Sequence, residues 1–138
     1  MALAPAWPWV GLDEDVALLR AAGRPVVRAD ATTCPVRDDS CGAAAALWML
    51  YHLDDPRVAI AEARRVLRQG GLFATCTTTR DDSPELVEFF GPPEPTSFDA
   101  EEAPELVAEV FGADRVEIDR WDGPFTVTKR GVVVWARK

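Results

Sequence analysis

Apolar and polar positions alternate in blocks along this 138-residue chain. Short β-rich apolar runs are separated by stretches with helical spacing, which predicts an α/β sheet built from crossovers. Residues 7–12 read as a short strand ending at Asp13. Residues 14–22 read as a helix carrying Val16, Leu19 and Ala22 and closed by Gly23. Residues 26–29 are a second strand, and the polar stretch 31–41, with Pro35 inside it, is a loop. Residues 43–47 are a third strand, whose small side chains let a helix or a ligand lie close to the sheet.

Pro56 suits the first turn of a helix. Ala59, Ile60, Ala63, Val66 and Leu67 then recur as one helical face, until Gly70-Gly71 stops it and 72–77 forms the next strand. Ser83 and Pro84 read as the N-cap and first-turn residues of a helix through Phe90. Residues 91–95, Gly-Pro-Pro-Glu-Pro, are a loop. Leu106, Val107, Val110 and Phe111 line another helical face ended by Gly112, with Asp99 and Glu102 spaced as a capping box and Pro104 as an alternative start. Residues 115–121 alternate as a strand, and 131–136 form a buried strand placed to be its antiparallel hairpin partner.

Length and charge narrow the picture. A chain of this size is read as one domain, 1–138. The net charge is −8, from 23 acidic and 15 basic residues. A general nucleic-acid binder needs a basic face, so nucleic acid is not an expected partner. No apolar run approaches the ~18 residues of a membrane span, and the N-terminal sequence is a poor signal peptide. No membrane partner is expected and the location reads as cytoplasmic. Cys34, Cys41 and Cys76 are odd in number and lack C-x-x-C spacing. They read as buried reduced thiols rather than a disulfide framework or a metal site.

Two acids stand out. Asp13 closes the first strand, where a carboxylate can accept hydrogen bonds from ribose hydroxyls, or cap the helix that follows. Asp30 ends the second strand, where it can accept from an adenine amine while the Ala31 amide reaches a ring nitrogen; it can equally cap its own loop. The acids lie 17 positions apart, across one crossover unit, so both belong at one edge of the sheet. His52 is the sole histidine. It can serve as a general base or simply hold its loop. Trp48 can wall a pocket or pack in the core. Trp7 and Trp9 sit where they could cover a sheet edge.

These phrases, in order, resemble a small class I S-adenosylmethionine-dependent methyltransferase of the type 11 kind. Gly11-Leu12-Asp13 looks like that family's second strand, Arg28-Ala29-Asp30-Ala31 like the end of its third, and Asp38-Asp39-Ser40 with 43–47 like its fourth. Leu50-Tyr51-His52-Leu53-Asp54-Asp55-Pro56 resembles the loop bordering the methyl acceptor, and 59–71 the helix and double-glycine turn before the fifth strand. Phe98-Asp99-Ala100-Glu101 through Phe111 and Trp121 resemble the family's variable tail.

The resemblance implies a doubly wound Rossmann-like sheet, mostly parallel with an antiparallel C-terminal strand. It implies S-adenosylmethionine as cofactor, held by Asp13, Asp30, Ala31 and Ala46. Trp48, Tyr51 and His52 fall on the side of a small-molecule acceptor. There are three departures. No G-x-G triplet occurs anywhere, so the family's first strand and glycine-rich loop are missing and the domain reads as truncated at its N-terminus. Cys41-Gly42 stands where many members have Phe-Asp, and Glu14 follows the first acid where an apolar residue is usual.

Two readings follow. One is an enzyme whose missing strand is supplied by a homo-oligomer mate, a partner chain or a longer start. The other is a non-catalytic remnant that binds partners through the vacated sheet edge. A nicotinamide-binding fragment is disfavoured by the double-glycine turn and the Leu-Tyr-His-Leu loop.

Overall fold

The computed structural model describes residues 8–22, 25–123 and 129–138, in two compact units, Met1–Pro35 and Val36–Lys138. Trp7 and Gly23 lie outside the described residues.

The first unit is one strand–helix–strand crossover. Strands β1 (Gly11–Asp13) and β2 (Val26–Arg28) pair in parallel, with Gly11 opposite Val26 and Asp13 opposite Arg28. Helix α1 (Val16–Ala22) joins them and buries Leu19. It starts two residues later than its apolar spacing suggests, because Asp15 supplies the cap. The Asp15 carboxylate accepts the amides of Ala17 at 2.6 Å and Leu18 at 3.4 Å. The strands are likewise shorter than the sequence suggests: residues 8–10 and Ala29 are not strand. Trp9 is 44% exposed.

The second unit is a four-stranded mixed sheet ordered β3-β4-β6-β5. Strand β3 (Cys41–Leu47) pairs in parallel with β4 (Leu67–Thr78). Strand β6 (Lys129–Arg137) then runs antiparallel to both β4 and β5 (Val116–Gly123). The closing hairpin expected from the valine run is thus present, and its second strand is an inner one.

Helix α2 (Pro56–Val66) links β3 to β4. Asp55 caps it by accepting the Arg57 amide at 3.0 Å, and Pro56 fills the first turn. Pro56, Ala59, Ile60 and Val66 form its buried face. Helix α4 (Ala103–Phe111) packs beside α2 and buries Leu106, Val107 and Phe111. Phe111 stacks on Phe73 of β4, with centroids 5.5 Å apart. Phe73, Ile60, Leu50, Phe98, Val107, Val132 and Val134 are almost completely buried and make the core of this unit.

Three local expectations are corrected. Helix α2 ends at Val66, not at the glycines, because Leu67 already has extended backbone and begins β4. Gly70-Gly71 sits inside β4, where the register slips between the pairs Cys41–Leu67 and Ala43–Leu72. Gly70 has φ +75°, and a Cβ on Gly71 would lie 2.8 Å from the Arg68 carbonyl oxygen, so the irregularity needs both glycines.

Ser83 does not cap a helix. It has φ +55° and no side-chain capping bond, and a 3₁₀ turn, Pro84–Leu86, precedes the four-residue α3 (Val87–Phe90). The capping box is only half made. Asp99 accepts the amides of Glu101 and Glu102 at 3.1 and 3.0 Å, but Glu102 turns its carboxylate to Arg80 at 2.8 Å. The thiols are all free, yet only Cys76 is buried, while Cys34 and Cys41 are half-buried.

Candidate functional site

In the first unit, parallel pairing brings the carboxyl ends of β1 and β2 side by side. The Ala29 amide donates to the Asp13 carbonyl at 3.0 Å, so Asp30 follows directly on from the strand end opposite Asp13. Both acids therefore occupy one end of this two-stranded sheet, as their spacing predicts. Arg28 reinforces that end by donating to the Glu14 carbonyl at 3.1 Å.

Each carboxylate is half engaged. Asp13 uses Oδ1 to accept the Asp15 amide at 2.8 Å. It is not the cap of α1, which is the alternative its position allowed. Asp30 uses Oδ1 to accept both the amide and the hydroxyl of Thr32 at 2.7 Å. The Thr32 amide, then its hydroxyl, hold the Asp30 carboxyl below the ordinary carboxylate value. The second oxygen of each acid accepts nothing among the described residues, and neither does the Ala31 amide donate to any of them. Local capping and ligand binding thus use different oxygens of the same side chains.

In the second unit, Ala46 lies near the carboxyl end of β3, and its carbonyl accepts the Thr75 hydroxyl at 2.7 Å. Trp48 follows, 42% exposed and with φ +57°, a left-handed conformation that a bulky residue rarely adopts. Its amide donates to the Cys76 carbonyl at 3.3 Å, holding the turn against β4. A 3₁₀ turn, Leu50–His52, comes next, anchored by buried Leu50. The rings of Tyr51 and His52 lie 4.4 Å apart, and His52 is exposed. Trp48 is therefore not a core tryptophan.

Residues that the sequence did not single out position these. The Ser97 hydroxyl donates to the Leu53 carbonyl at 2.5 Å and approaches that of Tyr51 at 3.5 Å, fixing the turn from 44 to 46 positions away. No local pattern encodes such a contact. Thr32 had a signal in the sequence: Asp followed two positions later by Thr is a hydrogen-bonded turn.

A hollow of about 310 Å³ on the outer surface of α2 and α4 is lined by Arg57, Glu102, Glu105, Leu106 and Glu109. Three of these five residues are acidic, and none of the sequence-predicted site residues lines it. Among the described residues no group of three His, Cys, Asp or Glu could hold a metal ion. No helix among them is long and apolar enough to cross a membrane.

This fold is that of class I S-adenosylmethionine-dependent methyltransferases, an α/β Rossmann-like architecture. The methyltransferase domain family matches residues 7–75, half of the chain, and the chain belongs to that family. A SAM-dependent methyltransferase from Thermotoga maritima has a TM-score of 0.69 at 20% identity, covering 93% of this chain and 72% of that one. One from Archaeoglobus fulgidus has a TM-score of 0.70 at 12% identity, covering 94% and 75%. A methyltransferase solved in complex with a Haloferax volcanii methyltransferase activator has a TM-score of 0.66 at 15% identity, covering 93% and 70%. At these identities the likeness is one of fold. Comparison with curated proteins finds no match.

Proposed function

We propose that residues 1–138 act as a single S-adenosylmethionine-dependent methyltransferase domain on a small-molecule acceptor. The observation that carries the reading is the placing of Asp13 and Asp30 at the ends of adjacent parallel strands, inside the stretch that matches the family. The residues present fit the nucleoside half of the cofactor, because among the described residues each acid keeps one oxygen uncommitted and Ala31 keeps its amide. In this reading Asp13 accepts from the ribose hydroxyls, Asp30 accepts from the adenine amine, and the Ala31 amide donates to a ring nitrogen.

When bound, S-adenosylmethionine supplies an electrophilic methyl group on a sulfonium. The chain's own part is then chiefly to bind and orient, since in-line approach supplies most of what such a transfer needs. Trp48 and Tyr51 shield the acceptor from water, and an imidazole nitrogen of His52 takes its proton. The net charge of −8 tilts the acceptor towards a small molecule rather than nucleic acid. Three free thiols support a reducing, cytoplasmic setting.

Calorimetric titration with S-adenosylhomocysteine tests this. Micromolar binding, abolished by Asp13→Ala or Asp30→Ala, supports it; a folded sample giving no heat overturns it.

One observation favours a second reading, a non-catalytic module that pairs with a partner chain or a second copy. Among the described residues strand β3 is paired on one side only, and its sequence, Cys-Gly-Ala-Ala-Ala-Ala-Leu, has none of the charges or prolines that guard natural edges. The opposite edge strand, β5, carries Glu117, Asp119 and Arg120. A solved neighbour that is itself a complex with an activator is consistent with such pairing. A monomer in light scattering would remove this reading.

A further inference from the structure

Alternation carries Thr75 and Thr77 to one face of β4, with Thr79 next in that series just past the strand. The three hydroxyls fare differently. That of Thr75 donates to the Ala46 carbonyl at 2.7 Å, and that of Thr77 to the Phe98 carbonyl at 2.8 Å. The Thr79 hydroxyl oxygen is buried and finds no hydrogen-bond partner among the described residues. Leaving such a group unpaired is costly, and native chains rarely do so.

The reason lies on either side of it. The Thr78 carbonyl accepts the Ala100 amide at 2.9 Å. The Arg80 amide donates to the Glu101 carboxylate at 3.3 Å. The Arg80 guanidinium pairs with the almost buried Asp99 at 2.5 Å and with Glu102 at 2.8 Å. Both neighbours of Thr79 are thus tied to residues 99–102, which keeps its hydroxyl from turning to a partner. A second cost lies four residues on. Ser83 is buried with φ +55°, in the left-handed region that is unfavourable for a residue with a side chain. The Asp82 amide donates to the Thr79 carbonyl at 3.2 Å and closes the turn between the two. Burial does not hold the segment beyond Ser83, since residues 84–96 are all exposed. Its placement depends on the ties at its two ends.

We infer that Arg80 is the catch of a spring-loaded latch, whose release lets the segment from Thr79 to Phe98 open as one unit. While Arg80 grips Asp99, Thr79 stays unpaired and Ser83 stays left-handed. When it lets go, water reaches the Thr79 hydroxyl and Ser83 returns to ordinary backbone. A closed state that carries such costs opens well below the free energy of global unfolding. Ser97, whose hydroxyl holds the Leu53 carbonyl, lies inside the segment, so opening removes that tie as well. The latch belongs to the second unit and does not depend on the methyltransferase reading.

Native-state hydrogen exchange on the whole chain, followed across low urea concentrations, tests this. The Asp82, Leu86 and Ala100 amides are bonded to Thr79, Ser83 and Thr78. They should exchange through one common opening, faster and with a smaller urea dependence than the amides joining β4 to β6. Thr79→Val removes the unpaired hydroxyl and should slow that opening about fivefold, with the urea midpoint kept or raised. Ser83→Gly should slow it too, because glycine accepts the left-handed region. Arg80→Gln should speed it about tenfold or more. A lower urea midpoint in Thr79→Val would mean that the hydroxyl is satisfied, and overturns the inference. So do unrelated rates at the three amides, exchange only together with the sheet, or an opening unmoved or moved the other way by any of the three variants. Thr79→Val and Ser83→Gly keep the catch, so they decide the matter even where Arg80→Gln does not fold.

Discussion

Asp13 and Asp15 stand in series. The carboxylate of Asp13 accepts the Asp15 amide at 2.8 Å, and the carboxylate of Asp15 accepts the Ala17 amide at 2.6 Å. One acid closes a strand and the other opens a helix. This separates two roles that a single aspartate could have combined. Asp15→Ala should lower the stability of the chain by about 1 kcal/mol through loss of the helix cap, with S-adenosylhomocysteine affinity kept. Asp13→Ala should cost less stability and abolish that binding. Urea unfolding beside calorimetry reads both, and the reverse pattern would exchange the roles.

Asp30 should titrate below an ordinary aspartate in a ¹³C NMR titration, because Thr32 donates twice to its ionised form. Its folded value is depressed, so its contribution to stability is present above the unfolded value and is lost as pH falls through the folded one. Thr32→Val removes the hydroxyl donor and keeps the amide. The Asp30 value should rise part of the way back towards normal.

Trp48 adopts φ +57°, which is unfavourable for any residue with a side chain and mildest for glycine. Trp48→Gly should leave the chain within about 1 kcal/mol of its starting stability, despite the deletion of a large side chain. Trp48→Val should be less stable than Trp48→Gly by about 1–2 kcal/mol. Equal urea midpoints for the two variants would show that the turn relaxes out of the left-handed region.

Cys76 is buried within β4, and burial pushes its thiol above the ordinary value, against the opposing Trp48 backbone contact. With Ellman's reagent in native buffer, Cys34 and Cys41 should react first and Cys76 last, whereas all three should react together in urea. Early modification of Cys76 would mean that β4 opens readily.

The alternation of runs was enough to read the crossover in the first unit and the hairpin of the second, because both follow from short-range periodicity. Asp13 and Asp30 were legible as candidates because strand ends can be located from such runs. The start of α1 was misread, since Asp13, Glu14 and Asp15 are all acidic and only the folded backbone shows which one caps. The double glycine looked like a helix stop, yet it serves a register slip that depends on a neighbouring strand. Phe89 and Phe90 read as the end of one helix begun at Ser83, whereas the folded chain breaks that stretch into a 3₁₀ turn and a four-residue helix and leaves both rings exposed.

The last described strand in sequence, β6, lies between β4 and β5 in space. Lys138 just beyond it exchanges backbone hydrogen bonds with Gly70 and Gly71 at 2.8 and 3.1 Å. While the chain emerges from the ribosome, β4 and β5 must therefore wait, with no direct partnership between them, until residues 129–137 arrive. Contacts this distant in sequence make closure slow and leave the half-built sheet exposed to aggregation. Nascent chains arrested before residue 129 should accordingly be protease-sensitive over β5.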